Sequence, residues 1–140
     1  MPRRAESFPR EGPVSLPIDA KSFAAAREHV RRLLAGQPET LIEDAVQVAD
    51  ELVSNAYRHG DPTRTVRLAL INDRRRLRIE VDDGSPKEPM LRSRDRTGGL
   101  GLMLVDRLAS GWGVERHEHH KTVWAELDLA RAPHLTVVPR

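Results

Sequence analysis

The 140-residue chain has no cysteine, which excludes disulfides, thiol catalysis and cysteine-ligated zinc. Long apolar runs are lacking too. Nothing approaches the roughly 18 residues of a membrane-spanning helix, and the N-terminus has no apolar signal-peptide core. Those two absences predict a cytoplasmic protein without a membrane segment. Aromatic residues make up only 4%, and Trp112 and Trp124 are expected to pack in or beside the core rather than stack on bases. An excess of one charge is also missing. The sequence pI is about 9.5, but the formal net charge is only +2, with Arg alternating with Asp and Glu through most of the chain. Charge therefore gives little support to nucleic-acid binding.

What is present is a composition of 39% hydrophobic and 31% charged residues, which reads as one globular domain. The longest helix-patterned segment runs from about Thr40 to His59. Leu41, Ile42, Ala45, Val46, Ala49, Leu52, Val53 and Ala56 recur on one amphipathic face. Thr40-Leu41-Ile42-Glu43 has the form of a capping box, and Gly60-Asp61-Pro62 supplies a stop. Glu51, Asn55 and His59 lie four residues apart, in one polar row beside the apolar stripe. An amide oxygen there is a hard ligand suited to Mg²⁺, and a carboxylate can orient or deprotonate a nucleophile. On its own, such a row is most often a solvated helix edge.

In chain order, Met1 to Pro13 reads as a flexible arm and Val14 to Ile18 as a short edge strand, its Pro suited to that position. Asp19 or Ser22 caps a helix to about Leu34, with Phe23, Ala26, Val30, Leu33 and Leu34 inward. Val66, Leu68 and Leu70 alternate as a strand, Asn72 to Arg76 turn, and Leu77 to Val81 alternate again, which makes a hairpin. From Ser85 to Thr97 there is no apolar period, and loops of this length are usually functional lids or disordered segments. Gly98-Gly99-Leu100-Gly101 opens a helix with Leu100, Met103, Leu104 and Leu108 inward. A strand follows from Gly111 and another spans Thr122 to Leu129, with His117 to Lys121 as their connection. Residues 131–140 read as a tail. The fold class is therefore α+β: a two-layer sandwich with a mostly antiparallel, mixed sheet and helices on one face. The domain is expected to span residues 14–130.

Two further stretches carry chemistry. Asp83 ends an alternating strand beside Gly84, where a carboxylate can accept a hydrogen bond from an exocyclic amine such as adenine N6. Gly98 to Gly101 at a helix start lets backbone N–H groups approach a phosphate; a lid hinge is an equally good reading. Neither the dinucleotide-binding glycine fingerprint nor a Walker A motif is present. Arg92, Arg94 and Arg96 read as a solvated loop. His117, His119 and His120 read as a hairpin tip, since no carboxylate shell accompanies them.

Taken together, Glu51 to His59, Val81-Asp82-Asp83-Gly84, Gly99 to Leu102 with Leu104-Val105, Trp112-Gly113 and Lys121 to Trp124 resemble the boxes of the GHKL (histidine kinase-like) ATPases. Within that superfamily the chain looks most like the single-domain bacterial anti-sigma factor serine/threonine kinases, over about Val14 to Leu129. The resemblance implies ATP and Mg²⁺ between the central helix and the lid. It gives Glu51 as general base, Asn55 as Mg²⁺ ligand and Asp83 as reader of adenine. His59, Gly84, Gly98, Gly99, Leu100, Gly101 and Leu102 complete the nucleotide site, with Thr122 behind the base through a water. It also implies two protein partners, a sigma factor and an anti-anti-sigma (STAS) protein phosphorylated on serine, and a possible homodimer. The sequence departs from the family pattern at Ser85, Lys87 and His120, each in place of a glycine, and at Leu100, in place of an Arg. The departures at Ser85, Lys87 and Leu100 bear on turnover more than on binding. A catalytically degenerate binding module is the competing reading. A histidine-kinase catalytic piece is disfavoured because no helix with a phospho-accepting His precedes the domain, and a nucleic-acid binder would need a steep salt dependence.

Overall fold

The computed structural model describes residues 12–84 and 99–130. The N-terminal arm up to residue 11, the whole of the expected lid with its three Arg, Gly98, and the tail at 131–140 lie outside the described residues. Eight elements follow one another: β1 (Val14–Pro17), α1 (Ser22–Leu33), α2 (Glu39–His59), β2 (Thr65–Ile71), β3 (Arg76–Asp83), α3 (Gly99–Leu108), β4 (Gly111–Arg116) and β5 (Lys121–Asp128). The strands form one sheet in the order β1-β2-β3-β5-β4. All of its pairings are antiparallel, so the sheet is not mixed. The architecture is the expected α+β sandwich.

Alternation assigns each strand residue to a face. Val66 and Leu68 of β2, Leu77, Ile79 and Val81 of β3, and Val123, Ala125 and Leu127 of β5 point to the helices and are buried. They meet Ala26 and Val30 of α1, Ala45, Ala49, Leu52 and Val53 of α2, and Leu102 and Val105 of α3 in a single core. α2 lies in the middle of the helical layer, packed between α1 and α3 over β3 and β5.

Three local expectations are corrected. α2 starts at Glu39 after Pro38, and no side chain caps it. Thr40 is already inside the helix, because Pro38 pre-sets the entry and its carbonyl accepts the N–H groups of Leu41 and Ile42. In α3 the buried positions are Leu102 and Val105, while Met103 is exposed. Four consecutive apolar residues left the phase of this short helix ambiguous. Lys121 belongs to β5 rather than to the connection before it. The expected cap of α1 is corrected as well: the N-cap position is Lys21, without a side-chain cap, and Ser22 is the first helical residue. Asp19 and Ser22 instead shape the turn before it, the Ser22 hydroxyl accepting from the Asp19 N–H and Asp19 Oδ1 from the Lys21 N–H.

The β2–β3 turn places Asn72, Asp73 and Arg74 at φ of 52°, 58° and 66°, a left-handed run that Asn and Asp tolerate better than Arg. The outer face of the sheet carries a continuous ladder of charges. Asp82 and Glu80 flank Arg67, Glu80 and Glu126 flank Arg78, and Arg76 closes on Glu126. The Arg78 guanidinium also lies 4.6 Å from the centre of the Trp124 ring.

Burial pushes the Asp82, Glu80 and Glu126 carboxyls up. The hydrogen bonds and positive charge of their Arg partners, with Thr122 also donating to Asp82, outweigh this and hold all three below the usual carboxylate range. Groups with depressed folded-state values contribute stability that is present above their unfolded values and lost as pH falls through the folded ones. Melting temperature should therefore hold from pH 7 to about 5 and fall steadily below about 4. Glu126→Gln should show a shallower acid decline than wild type in the same series of melts.

Candidate functional site

The two longest inward alternations, in β3 and β5, end side by side on the helix-facing side of the sheet. β3 runs Leu77, Ile79, Val81, Asp83, and β5 begins Lys121, Val123, Ala125, Leu127. The pairing register sets Asp83 directly against Lys121. The Lys121 ammonium donates to both carboxylate oxygens, at 3.0 and 3.1 Å. The two side chains retain only 6% and 4% exposure respectively. A buried charge is stable only when paired, and removing one member of such a pair typically costs about 3–5 kcal/mol.

The C-terminus of α2 comes down on this pair. Gly60 ends the helix, its N–H bonded to the Ala56 carbonyl at 2.8 Å. Its φ of −87° suits any residue, so the demand for glycine there is one of space. A Cβ on Gly60 would lie 2.8 Å from Asp83 Cγ and 2.8 Å from the Ala56 oxygen. Gly84 is similarly confined: its N–H bonds to the Asp61 carbonyl, and a Cβ would meet the Pro62 oxygen at 2.7 Å. Arg64 secures the helix end by donating to the carbonyls of Tyr57 and Gly60.

Along α2, Glu51 and Asn55 are half-buried and His59 is exposed. The helix therefore carries oxygen donors down its flank to a buried carboxylate at its foot. α3 packs against α2, and its first turn is Gly99-Leu100-Gly101-Leu102. The Leu102 side chain is in the core, so only its backbone is available to a ligand.

Thr122 is placed elsewhere. It pairs across the strands with Asp82, not Asp83, and is therefore on the outer face. Its hydroxyl donates to Asp82 Oδ1 at 2.6 Å. With that proton committed, His117 Nε2, 3.0 Å from Thr122 Oγ1, must be the donor to the hydroxyl oxygen. His117 stacks on His120 with ring centres 4.3 Å apart. Together with Gly84, Arg116, Glu118 and His119, these rings bound a shallow pocket at the same end of the sheet. No group of three His, Cys, Asp or Glu among the described residues is placed to hold a metal. Trp112 packs on the helix side and donates to Asp106 of α3 at 2.8 Å. Trp124 covers Gly113 on the other face.

The structure thus joins Asp83, Gly84 and the foot of the Glu51/Asn55/His59 helix, and keeps Thr122 on the opposite face. Sequence reasoning missed Lys121, although its phase with Val123, Ala125 and Leu127 was available.

The family model described as the histidine kinase-like ATPase domain matches residues 16–127. The chain belongs to that family. No curated protein sequence matched it. Among solved structures, it resembles the crystal structure of the RsbU and RsbW domains of Rv1364c from Mycobacterium tuberculosis. That match has 24% identity and a TM-score of 0.64, covering 87% of this chain and 34% of that one. It also resembles the histidine kinase domain of the blue-light activated histidine kinase EL346 from Erythrobacter litoralis, with 18% identity and a TM-score of 0.53, covering 77% and 59%. At these identities the likeness is one of fold, and the chain spans about a third of the first protein and under two thirds of the second. As a histidine kinase-like ATPase domain it carries a fold that binds ATP. Among the described residues no helix is long and apolar enough to cross a membrane.

The confinement at Gly60 gives a direct test. Gly60→Ala should lower the melting temperature by several degrees, in line with the roughly 1–3 kcal/mol of an overpacked site. Ala at the open, exposed Gly12, where nothing lies within 4 Å, should leave it within about a degree.

Proposed function

We propose that this domain binds Mg-ATP between α2, α3 and the Asp83 end of the sheet, and that it is an anti-sigma factor kinase acting on a serine of an anti-anti-sigma (STAS) protein. The observation that carries the reading is the convergence at Gly60, which seats the Glu51/Asn55 helix on a buried carboxylate in a chain of this family. The RsbW domain in the fold relative supports the choice of partner class.

Each residue then has a task. Asn55 offers its amide oxygen to Mg²⁺, while Gly84, Gly98, Gly99, Leu100, Gly101 and Leu102 offer backbone N–H groups to phosphate. His59 lines the same flank of α2. Asp83 reads the exocyclic amine of adenine. Thr122 acts on this end indirectly, by fixing Asp82 beside Asp83. Bound Mg-ATP supplies the phosphoryl group and the charge that steadies its transfer. Glu51, held half-buried on a rigid helix, takes the proton from the serine hydroxyl as its oxygen attacks the γ-phosphorus, and ADP departs. Chemistry of this kind depends mainly on positioning and charge, so few side chains are needed. When the STAS partner is phosphorylated it leaves, and the domain is again available to hold a sigma factor in the cytoplasm.

A second reading, a nucleotide-free or catalytically degenerate interaction module, is favoured by one observation: Lys121 already satisfies Asp83.

Melting with and without Mg-ATP separates them. At about 100 times Kd the ligand should add about 2.7 kcal/mol, a rise on the order of 5–10 °C for a chain of this size. Asn55→Ala should abolish most of that rise. Glu51→Ala should keep it but lose phosphate transfer to a purified STAS protein. No rise in wild type at millimolar Mg-ATP overturns the nucleotide reading.

A further inference from the structure

The Asp83–Lys121 pair raises a question that the proposed nucleotide site does not answer. A base amine must reach a carboxylate whose two oxygens are both bonded to an ammonium, in a pair almost wholly withdrawn from solvent. Asp83 is the more confined member of the pair. Gly60 closes over Asp83 within the space of a missing methyl group, and the β3–β5 register fixes the two Cα positions. Lys121 has four rotatable bonds and needs only to swing its head group away, whereas Asp83 is short and held.

Resting on the nucleotide reading above, we propose that Lys121 is a built-in competitor for the base-reading carboxylate. The domain therefore alternates between a closed state, with the ammonium on Asp83, and an open state in which Lys121 has turned out and Asp83 accepts the adenine amine. The competitor sets nucleotide affinity. When only a fraction of molecules is open, the apparent Kd rises by the inverse of that fraction. A state open one time in ten weakens binding tenfold. Lys121 is thus an affinity-setting residue rather than a catalytic one. Its effect is opposite in sign to that of an ordinary structural ion pair: its loss should weaken the fold yet strengthen binding.

Two measurements test this on the full chain. The sequence has three lysines, Lys21, Lys87 and Lys121, so acetic anhydride labelling read by mass spectrometry resolves each. Lys121 should be protected without nucleotide while exposed Lys21 reacts, and Lys121 should become reactive at saturating Mg-ATP. In calorimetric titrations with Mg-ATP, Lys121→Met and Lys121→Gln should bind at least tenfold more tightly than wild type, despite lower melting temperatures. Asp83→Asn should remain weak. Wild type that binds Mg-ATP while Lys121 stays protected overturns the inference and leaves the nucleotide reading intact. Folded Lys121 variants that bind no more tightly than wild type do the same. Absence of Mg-ATP binding in every folded protein of the set overturns both.

Discussion

The pairing of β3 with β5 is the constraint on which the rest of the molecule depends. Arg76 to Asp83 run antiparallel to Asp128 back to Lys121 without a break, and these two strands form the centre of the sheet. Because side chains alternate, a slip of one residue would turn Leu77, Ile79 and Val81 out to solvent and bring the charge ladder inward. The same register decides what meets at the strand ends. Asp83 falls opposite Lys121 on the helix face, and Asp82 opposite Thr122 on the other. Neither pairing is adjustable once the hydrophobic alternation has chosen its side.

One sheet therefore carries two polar systems of different character. On the outer face, Arg67, Arg78 and Arg76 alternate with Asp82, Glu80 and Glu126, each partly open to solvent. Such a network tolerates motion and screening, because water remains available to any member that loses its partner. On the inner face the carboxylate and ammonium have only each other and the neighbouring protein within reach. There a polar group that moves must find a replacement partner or remain unsatisfied in an apolar surround. Half-buried Glu51 and Asn55 lie between these limits, in reach of water and held by α2 at a fixed spacing.

Much of this was legible in the sequence because it rests on period. The twenty-odd residues of α2 show a 3.6-residue recurrence, β3 alternates cleanly, and Asp83 continues the inward phase of Leu77, Ile79 and Val81. What escaped notice depended on partners rather than on period. Thr40 and Glu43 have the letters of a capping box, but Pro38 had already started the helix two residues earlier. The apolar run from Leu102 to Val105 fits several helix phases, and only packing against α2 selects one. Lys121 looked like part of a basic, histidine-rich connection. Only when β5 is extended by one residue does it join the buried phase, and only the β3–β5 register shows that Asp83 awaits it. The separation of Thr122 from Asp83 has the same origin, since both are polar residues at strand ends and one residue of parity divides them.

The sheet order β1-β2-β3-β5-β4 has a consequence for how this domain can change over evolutionary time. The chain leaves the sheet after Asp83 and completes its return at Lys121, two residues that are direct neighbours. The whole excursion between them, α3 and β4 included, begins and ends at one point. Its closure entropy grows only slowly with length. A change of length between the elements of this excursion need not shift the register of the central strands, whereas α3, through Leu102 and Val105, and β4, through its pairing with β5, are tied to them. The site stands where the two central strands hand the chain over to that excursion.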